Sequence, residues 1–296
     1  MKITVVNFAD ETFKKQQDYN TKTAFRRAEA DRVFSFSPKD IDCDFFEKNK
    51  SILSNSRGAG LWLWKPYFIK KSLDMIEYGD YLFYCDSGAY FINRLDHLVD
   101  SLELANQDIM GFVLPLLERQ FTKKEAFVLM EFSDYSLNQV LSTYILFKKT
   151  DFTIQFVNEW LAYCCDQRII CPEHYLENVN EFEDFVSHRE DQSVFSVLYH
   201  KYNLRAFKDP SQFGERPWEY SWRLKFATWS NRWIYRPVLT ERSPYRKILV
   251  LYRRNKFLSF RIFEYMKNLL FILGIYNQHT FALIIKQGRS GGASLL

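Results

Sequence analysis

Three short groups of residues in this 296-residue chain have the side chains and spacing to do chemistry. The first is Asp86-Ser87-Gly88. A carboxylate can hold Mg2+ or Mn2+ while the phosphates of a nucleoside diphosphate complete the coordination shell, and Gly88 has no Cβ to block a sugar or phosphate. By itself the triplet also suits an acidic turn. In the second group, Arg57 and Lys65 flank a loop bearing Gly58 and Gly60. The two cations could neutralise phosphates while Trp62 and Trp64 stack on a base or sugar face, or the two indoles could wedge the loop into the core. The loop is neither a P-loop nor a dinucleotide fingerprint. The third group is His188-Arg189-Glu190-Asp191-Gln192-Ser193, with an imidazole, a carboxylate to act as base or to stabilise positive charge, and an amide donor. It equally suits a helix cap with solvated charges. Ser193 is not set in a GxSxG elbow, which leaves a hydrolase triad without support.

Elements must aim these groups. Pro66 near the start of a helix and Ile69, Leu73 and Ile76 at helical spacing predict one buried stripe, with Gly79 ending the helix. Asp80 to Cys85 is rich in aromatic residues and reads as a buried strand that delivers Asp86 to the carboxyl edge of a sheet, where ligands of open α/β sheets bind. Ile3 to Phe8 reads as a first strand, Arg26 to Asp31 leans helical, and Val33 to Phe36 reads as a second strand. Leu95 to Leu104 follows as a helix and Ile109 to Leu114 as a strand closed by Pro115. This alternation predicts an α/β fold with a mainly parallel sheet between helices. Asn138 to Phe147 and Phe152 to Cys165 read as two consecutive helices. Val194, Phe195 and Leu198 make the stripe of a further helix, capped by Ser187 or Asp191, with His188 to Gln192 at its anion-favouring N-terminal end.

Composition bounds the rest. With 47% hydrophobic and 18% aromatic residues the chain can bury a large core. The net charge of +4 is unevenly spread: from Arg242 onward ten basic residues face the single acid Glu264. A basic tail on a mildly acidic body suits an anionic surface and is not the signature of a general nucleic-acid binder. Five cysteines without CxxC spacing suggest neither a zinc site nor a disulfide framework and suit a reducing cytoplasm. The first residues lack the pattern of a secretory signal, and the longest apolar run, Leu269 to Tyr276, is far short of a bilayer span. We expect one unit over residues 1–210. A Trp- and Arg-rich segment and basic tail, membrane-associating, would cover 211–296, and GRSGGASLL would form a flexible terminus.

Taken together and in order, GAGLWLWKPYFIKKSL, GDYLFYCDSG and HREDQSVFSVLYHK resemble a family of bacterial glycosyltransferases of the GT-A fold, found in capsule, lipopolysaccharide and other surface-glycan gene clusters. The resemblance covers Arg57 to Leu204. It implies a nucleotide-sugar-binding sheet with Phe8 and Ala9 near the base and Asp86-Ser87-Gly88 in the place of the DxD motif. Asp86 would contact the metal and diphosphate, and Gly88 would admit the donor. Arg57, Lys65 and Ser87 would join the nucleotide-sugar site, and Asp191-Gln192 would lie beside the transferred sugar, with His188 completing the catalytic group. Gly88 stands where a full DxD has its second acid, so strict metal dependence does not follow. The function implied is transfer of a sugar, from a UDP-sugar with Mn2+ or Mg2+, to a glycan or lipid-linked oligosaccharide. It would be a cytoplasmic hexosyltransferase-type enzyme (EC 2.4), peripheral on the inner face of the membrane. The alternative is a non-catalytic nucleotide-sugar- or glycan-binding protein with the same fold.

Overall fold

The structure is a computed structural model that describes residues 1–219, 243–252, 257–277 and 280. Most of the Trp- and Arg-rich segment after residue 219 and the GRSGGASLL terminus lie outside the described residues. The described chain is α/β. Strands β1 (Ile3–Phe8), β2 (Arg32–Phe36) and β3 (Tyr81–Cys85) pair in parallel in the order β2-β1-β3. The sheet continues into β6 (Asn138–Lys148) and β5 (Ile109–Leu117), with β6 antiparallel to both its neighbours. Four of the five strands therefore point the same way, and β6 alone runs against them. A two-stranded antiparallel ribbon joins β4 (Ala89–Phe91) to β7 (Leu249–Leu251).

Side chains of β1 and β3 alternate between two cores, as the period of two requires. Val6, Phe8, Leu82 and Tyr84 join one core, and Ile3, Val5, Tyr81, Phe83 and Cys85 join the other. On the first face lie helices α2 (Trp64–Asp74), α4 (Asp151–Cys164) and α5 (Glu190–Lys201). On the second lies α3 (Asp96–Leu104). Covering both faces buries whole strands, and each fully buried Leu or Phe contributes about 1.5–3 kcal/mol. The expected stripe of α2 is present in Ile69 and Leu73, both buried, and the helix ends at Asp74, short of Gly79.

Four expectations about elements are corrected. Asn138 to Phe147 is strand β6 and not a helix. Lying between β3 and β5 with Gln139 to Phe147 all buried, it is covered on both faces and so loses the alternation that marks a strand. Strand β5 does not stop at Pro115 but runs to Leu117: it is an edge strand, and its register shifts between Val113 and Leu117, which accommodates a residue without an N–H. The helix sought at Arg26 to Asp31 lies earlier, as α1 (Lys14–Arg26). Its buried face is polar: Asn20 donates to the Ala89 carbonyl at 2.9 Å, Gln17 to the Phe36 carbonyl at 2.7 Å, and Thr23 Oγ1 accepts from Phe91 N–H at 3.1 Å. An apolar stripe was never there to be read. Helix α5 is capped by neither Ser187 nor Asp191; Arg189 stands at its N-cap position and its side chain does not cap the helix.

Packing crosses residue 210. Phe213, Tyr245, Ile248, Leu249 and Leu251 share the second core with Phe83, Phe91 and Phe112. Beyond β7 lies helix α6 (Phe257–Ile272).

Candidate active site

Val6 on β1 pairs with Tyr84 on β3, so Phe8 and Asp86 stand level at the carboxyl ends of parallel neighbours. Because β2 and β3 lie on opposite sides of β1, the crevice between β1 and β3 is a topological switch point, where ligands of open α/β sheets settle. A cavity of about 360 Å³ opens there, large enough for a small ligand. Phe8, Ala9, Asp86, Ser87 and Gly88 all line it, so the structure gathers five of the sequence-expected residues around one space.

The acidic turn is held on three sides. Asp86 N–H donates to the Thr143 carbonyl of β6 at 2.8 Å, Ser87 Oγ donates to the Phe8 carbonyl at 2.6 Å, and the Gly88 carbonyl accepts from Tyr252 N–H at 2.7 Å. Tyr84 O–H donates to Asp86 Oδ1 at 2.5 Å, fixing the carboxylate, which remains partly open on the cavity side at 25% side-chain exposure.

Opposite it, the glycine loop makes a turn of unusual hand. Gly58, Ala59, Gly60, Leu61 and Trp62 all have positive φ, at 59°, 51°, 102°, 52° and 58°. For the three non-glycine residues this costs about 1–2 kcal/mol each, strain of the kind that collects at ligand sites. A side chain at Gly60 would stand 2.8 Å from the Leu53 Cα, so glycine is needed there for space as well as for φ. The turn presents Gly58, Ala59 and Trp62 to the cavity. Trp64 also lines it, stacked on Phe8 with ring centroids 3.7 Å apart and its Nε1–H bonded to the Gly58 carbonyl at 2.9 Å. Trp64 therefore packs the loop against β1 and also lines the cavity.

Lys65 sits behind the cavity wall, buried, with Nζ 2.7 Å from Asp191 Oδ2, 3.2 Å from Ser142 Oγ and 3.7 Å from Asp86 Oδ1. Ser142 Oγ also donates to Asp191 Oδ2 at 2.8 Å. Burial pushes the Lys65 ammonium down, but the two carboxylates more than reverse this, and its pKa stands above the ordinary lysine value. Burial pushes the Asp191 carboxyl up, against the pull of Lys65 and the Ser142 hydrogen bond. The arrangement is a buried cation bridging the acid of the strand end and the acid of α5.

The remaining expected residues are placed elsewhere. Arg57 does not line the cavity; its Nε bonds Glu190 Oε1 at 2.6 Å, tying the loop to the start of α5. Gln192 donates to Gln139 Oε1 at 3.0 Å within a buried network around Glu118. His188 is buried away from the cavity, its Nδ1 accepting from Lys123 N–H at 3.2 Å. Burial, with Lys123 nearby, lowers its pKa to about 3, so it is neutral and unsuited to exchanging protons at the crevice. The sequence reading missed Asp10, Ser56, Thr143 and Leu251 as lining residues, and Ser142 and Tyr84 as supports. Ser142 and Thr143 were hidden by reading β6 as a helix. Leu251 arrives from far along the chain and carries no local signal.

No family model matches the chain, and no curated protein matches it. Solved structures similar to it include the apo form of the glycosyltransferase GlyE of Streptococcus pneumoniae TIGR4, 14% identical, with a TM-score of 0.40 over 86% of this chain and 55% of that one. The galactosyltransferase LgtC, in complex with donor and acceptor sugar analogs, is 12% identical, with a TM-score of 0.44 over 85% of this chain and 87% of that one. Mouse xyloside xylosyltransferase 1 is 8% identical, with a TM-score of 0.47 over 86% and 99%. The chain spans about half the length of GlyE and 39% of the bifunctional glycosyltransferase WbbM.

Proposed function

We propose that the protein is a glycosyltransferase that binds a nucleoside diphosphate sugar, UDP-linked, in the crevice between β1 and β3 and moves the sugar to a hydroxyl of a glycan or lipid-linked oligosaccharide. The observation that carries this reading is the convergence of Asp86-Ser87-Gly88, the Trp62 and Trp64 rings and the end of β1 on one cavity at the switch point. Aromatic faces suit a base or sugar, and a small polar turn suits a diphosphate. We place the reaction at the cytoplasmic face of a membrane, in the synthesis of surface polysaccharide.

Asp86 is the residue that would hold Mg2+ or Mn2+. Among the described residues no group of three metal-ligating side chains occurs, so a single carboxylate would share the ion with the donor's phosphates, an arrangement these hard cations accept. When bound, the ion supplies charge neutralisation for the departing diphosphate.

The chain's own contribution is electrostatic and positional. Lys65 and Tyr84 hold Asp86 at the cavity wall, and Lys65 and Ser142 hold Asp191 behind it. Asp86, on the cavity side, favours the positive charge that develops on the transferred sugar, while Lys65 neutralises Asp191 behind it. Glu190, paired with Arg57, and Asp191, paired with Lys65, are both buried and do not line the cavity, so their part is to hold the loop and Lys65 in place.

The test is a panel of nucleotide sugars assayed for transfer and hydrolysis, with Mn2+ and with chelator, on the protein and on Asp86→Ala. The variant is expected to lose roughly 100-fold or more in turnover. Undiminished turnover would remove Asp86 from the site, and UDP-sugar binding without turnover on any acceptor would favour the binding-protein reading.

A further inference from the structure

Helix α6 turns a mixed face inward, with Phe260 packed near Tyr252 and Phe271 near Trp218 beside a set of polar residues. Its inward face carries Glu264, Lys267 and Asn268 against a buried polar patch of the body. Arg216, fully buried, pairs with Glu264 and Glu219 and donates to Asn268 Oδ1 at 2.7 Å. Lys267 Nζ lies 2.9 Å from Glu219 and 3.1 Å from Glu264, and Lys247 Nζ reaches Asn268 at 3.3 Å. The outward face carries Leu258, Ile262, Tyr265, Met266, Leu269 and Ile272, from 41% to 78% exposed. Their spacing is that of one helical stripe, the pattern that in a globular protein turns toward the core. Leu273 and Ile275, at 60% and 56%, extend it.

We propose that this outward face of α6 docks on an anionic lipid bilayer, the helix lying flat at the level of the headgroups. The charges choose the occupant. Between Arg253 and Leu296 the chain has one acid, Glu264, and that acid is turned inward and neutralised, while Arg261 is exposed on the helix and Arg253, Arg254 and Lys256 precede the helix in the sequence. An apolar stripe without acids, bordered by cations, fits a surface that is apolar within and negative at its edge. No helix among the described residues is long and apolar enough to cross a membrane, which suits a helix lying in the interface. Tyr252, five residues before the helix, follows Leu251 of the cavity wall, and five residues span at most about 18 Å, so docking would hold the crevice close to the bilayer. The docking surface thereby specifies the acceptor side of the proposed function, but its existence does not depend on catalysis.

The test is sedimentation of the full chain with phosphatidylcholine vesicles, with and without phosphatidylglycerol, beside a variant in which Leu258, Ile262, Met266 and Leu269 are all changed to Ser. Thermal unfolding and light scattering are run on both proteins. The protein is expected to sediment with the anionic vesicles and more weakly with neutral ones. The variant should lose on the order of 100-fold in partition, with its unfolding temperature unchanged because the face is exposed. Equal sedimentation of the two proteins would overturn the proposal. A marked fall in the variant's unfolding temperature would also do so, by showing that the chain covers this face itself. So would a dimer that the substitutions dissociate. Vesicle binding by a protein inactive in sugar transfer would leave the docking surface standing and sink only the enzymatic reading.

Discussion

Lys65 is the residue with most at stake, because its ammonium is the buried counterion of Asp191 and lies near Asp86. Removing it leaves a carboxylate uncompensated in the interior, so Lys65→Met is expected to destabilise the fold by about 3–5 kcal/mol. The double change Lys65→Met with Asp191→Leu should recover most of that stability, as read by urea denaturation, while turnover stays lost. The titration has a definite sign. The folded-state pKa of Lys65 is raised above 10.5, so its contribution is fully present below that value and disappears as pH rises through the folded pKa. His188 acts at the other end of the scale. Its pKa falls from 6.5 to about 3, so between those values the unfolded chain binds the extra proton and stability falls as pH drops below 6.5. His188→Gln should flatten the pH dependence of the urea midpoint in that range by about one proton.

At the scale of elements, the left-handed turn and strand β6 decide the shape of the crevice. An added methyl at Gly58 would lie 2.2 Å from the Trp62 ring, so Gly58→Ala is expected to push that ring out of place and lower UDP affinity several-fold by calorimetry, an effect on the order of 1 kcal/mol. Gly60→Ala meets backbone and should cost about 2–4 kcal/mol of stability, because φ strain and overpacking add. Ala59→Gly, at φ 51°, should change stability by less than about 1 kcal/mol, since relief of strain offsets the added freedom of the unfolded chain. Strand β6 contributes through Ser142 and Thr143: adjacent residues on a strand point to opposite faces, yet Ser142 reaches Asp191 through its side chain and Thr143 binds Asp86 through its carbonyl.

For the whole molecule, the path of the chain after residue 210 separates two truncations. Ending at Tyr252 keeps β7, Leu251 and the Tyr252 bond to Gly88, so UDP binding should survive while vesicle binding is lost. Ending at Pro210 removes Phe213, Tyr245, Ile248, Leu249 and Leu251 from the second core and leaves β4 unpaired. At about 1.5–3 kcal/mol for each buried apolar side chain, that loss is comparable to the whole stability of an ordinary domain, and the product should be insoluble or unfolded by circular dichroism.

Legibility followed how local the physics was. Helix α2, strand β3 and the Asp86-Ser87-Gly88 turn could be read from spacing alone, because a one-sided stripe, an aromatic run and a turn residue each leave a mark within a few positions. The sequence by itself therefore determined the α/β class and the presence of an aspartate at a strand end. Tertiary structure decided which partners that aspartate has. It sent Lys65 and Asp191, 126 positions apart, into one ion pair behind the cavity, and it turned His188 and Gln192, close to Asp191 in sequence, into buried supports. The reason is geometric. Asp191 and Gln192 are successive residues of α5 and point about 100° apart, so they reach different residues of β6, Ser142 and Gln139, while His188 precedes the helix and is held by Lys123 N–H.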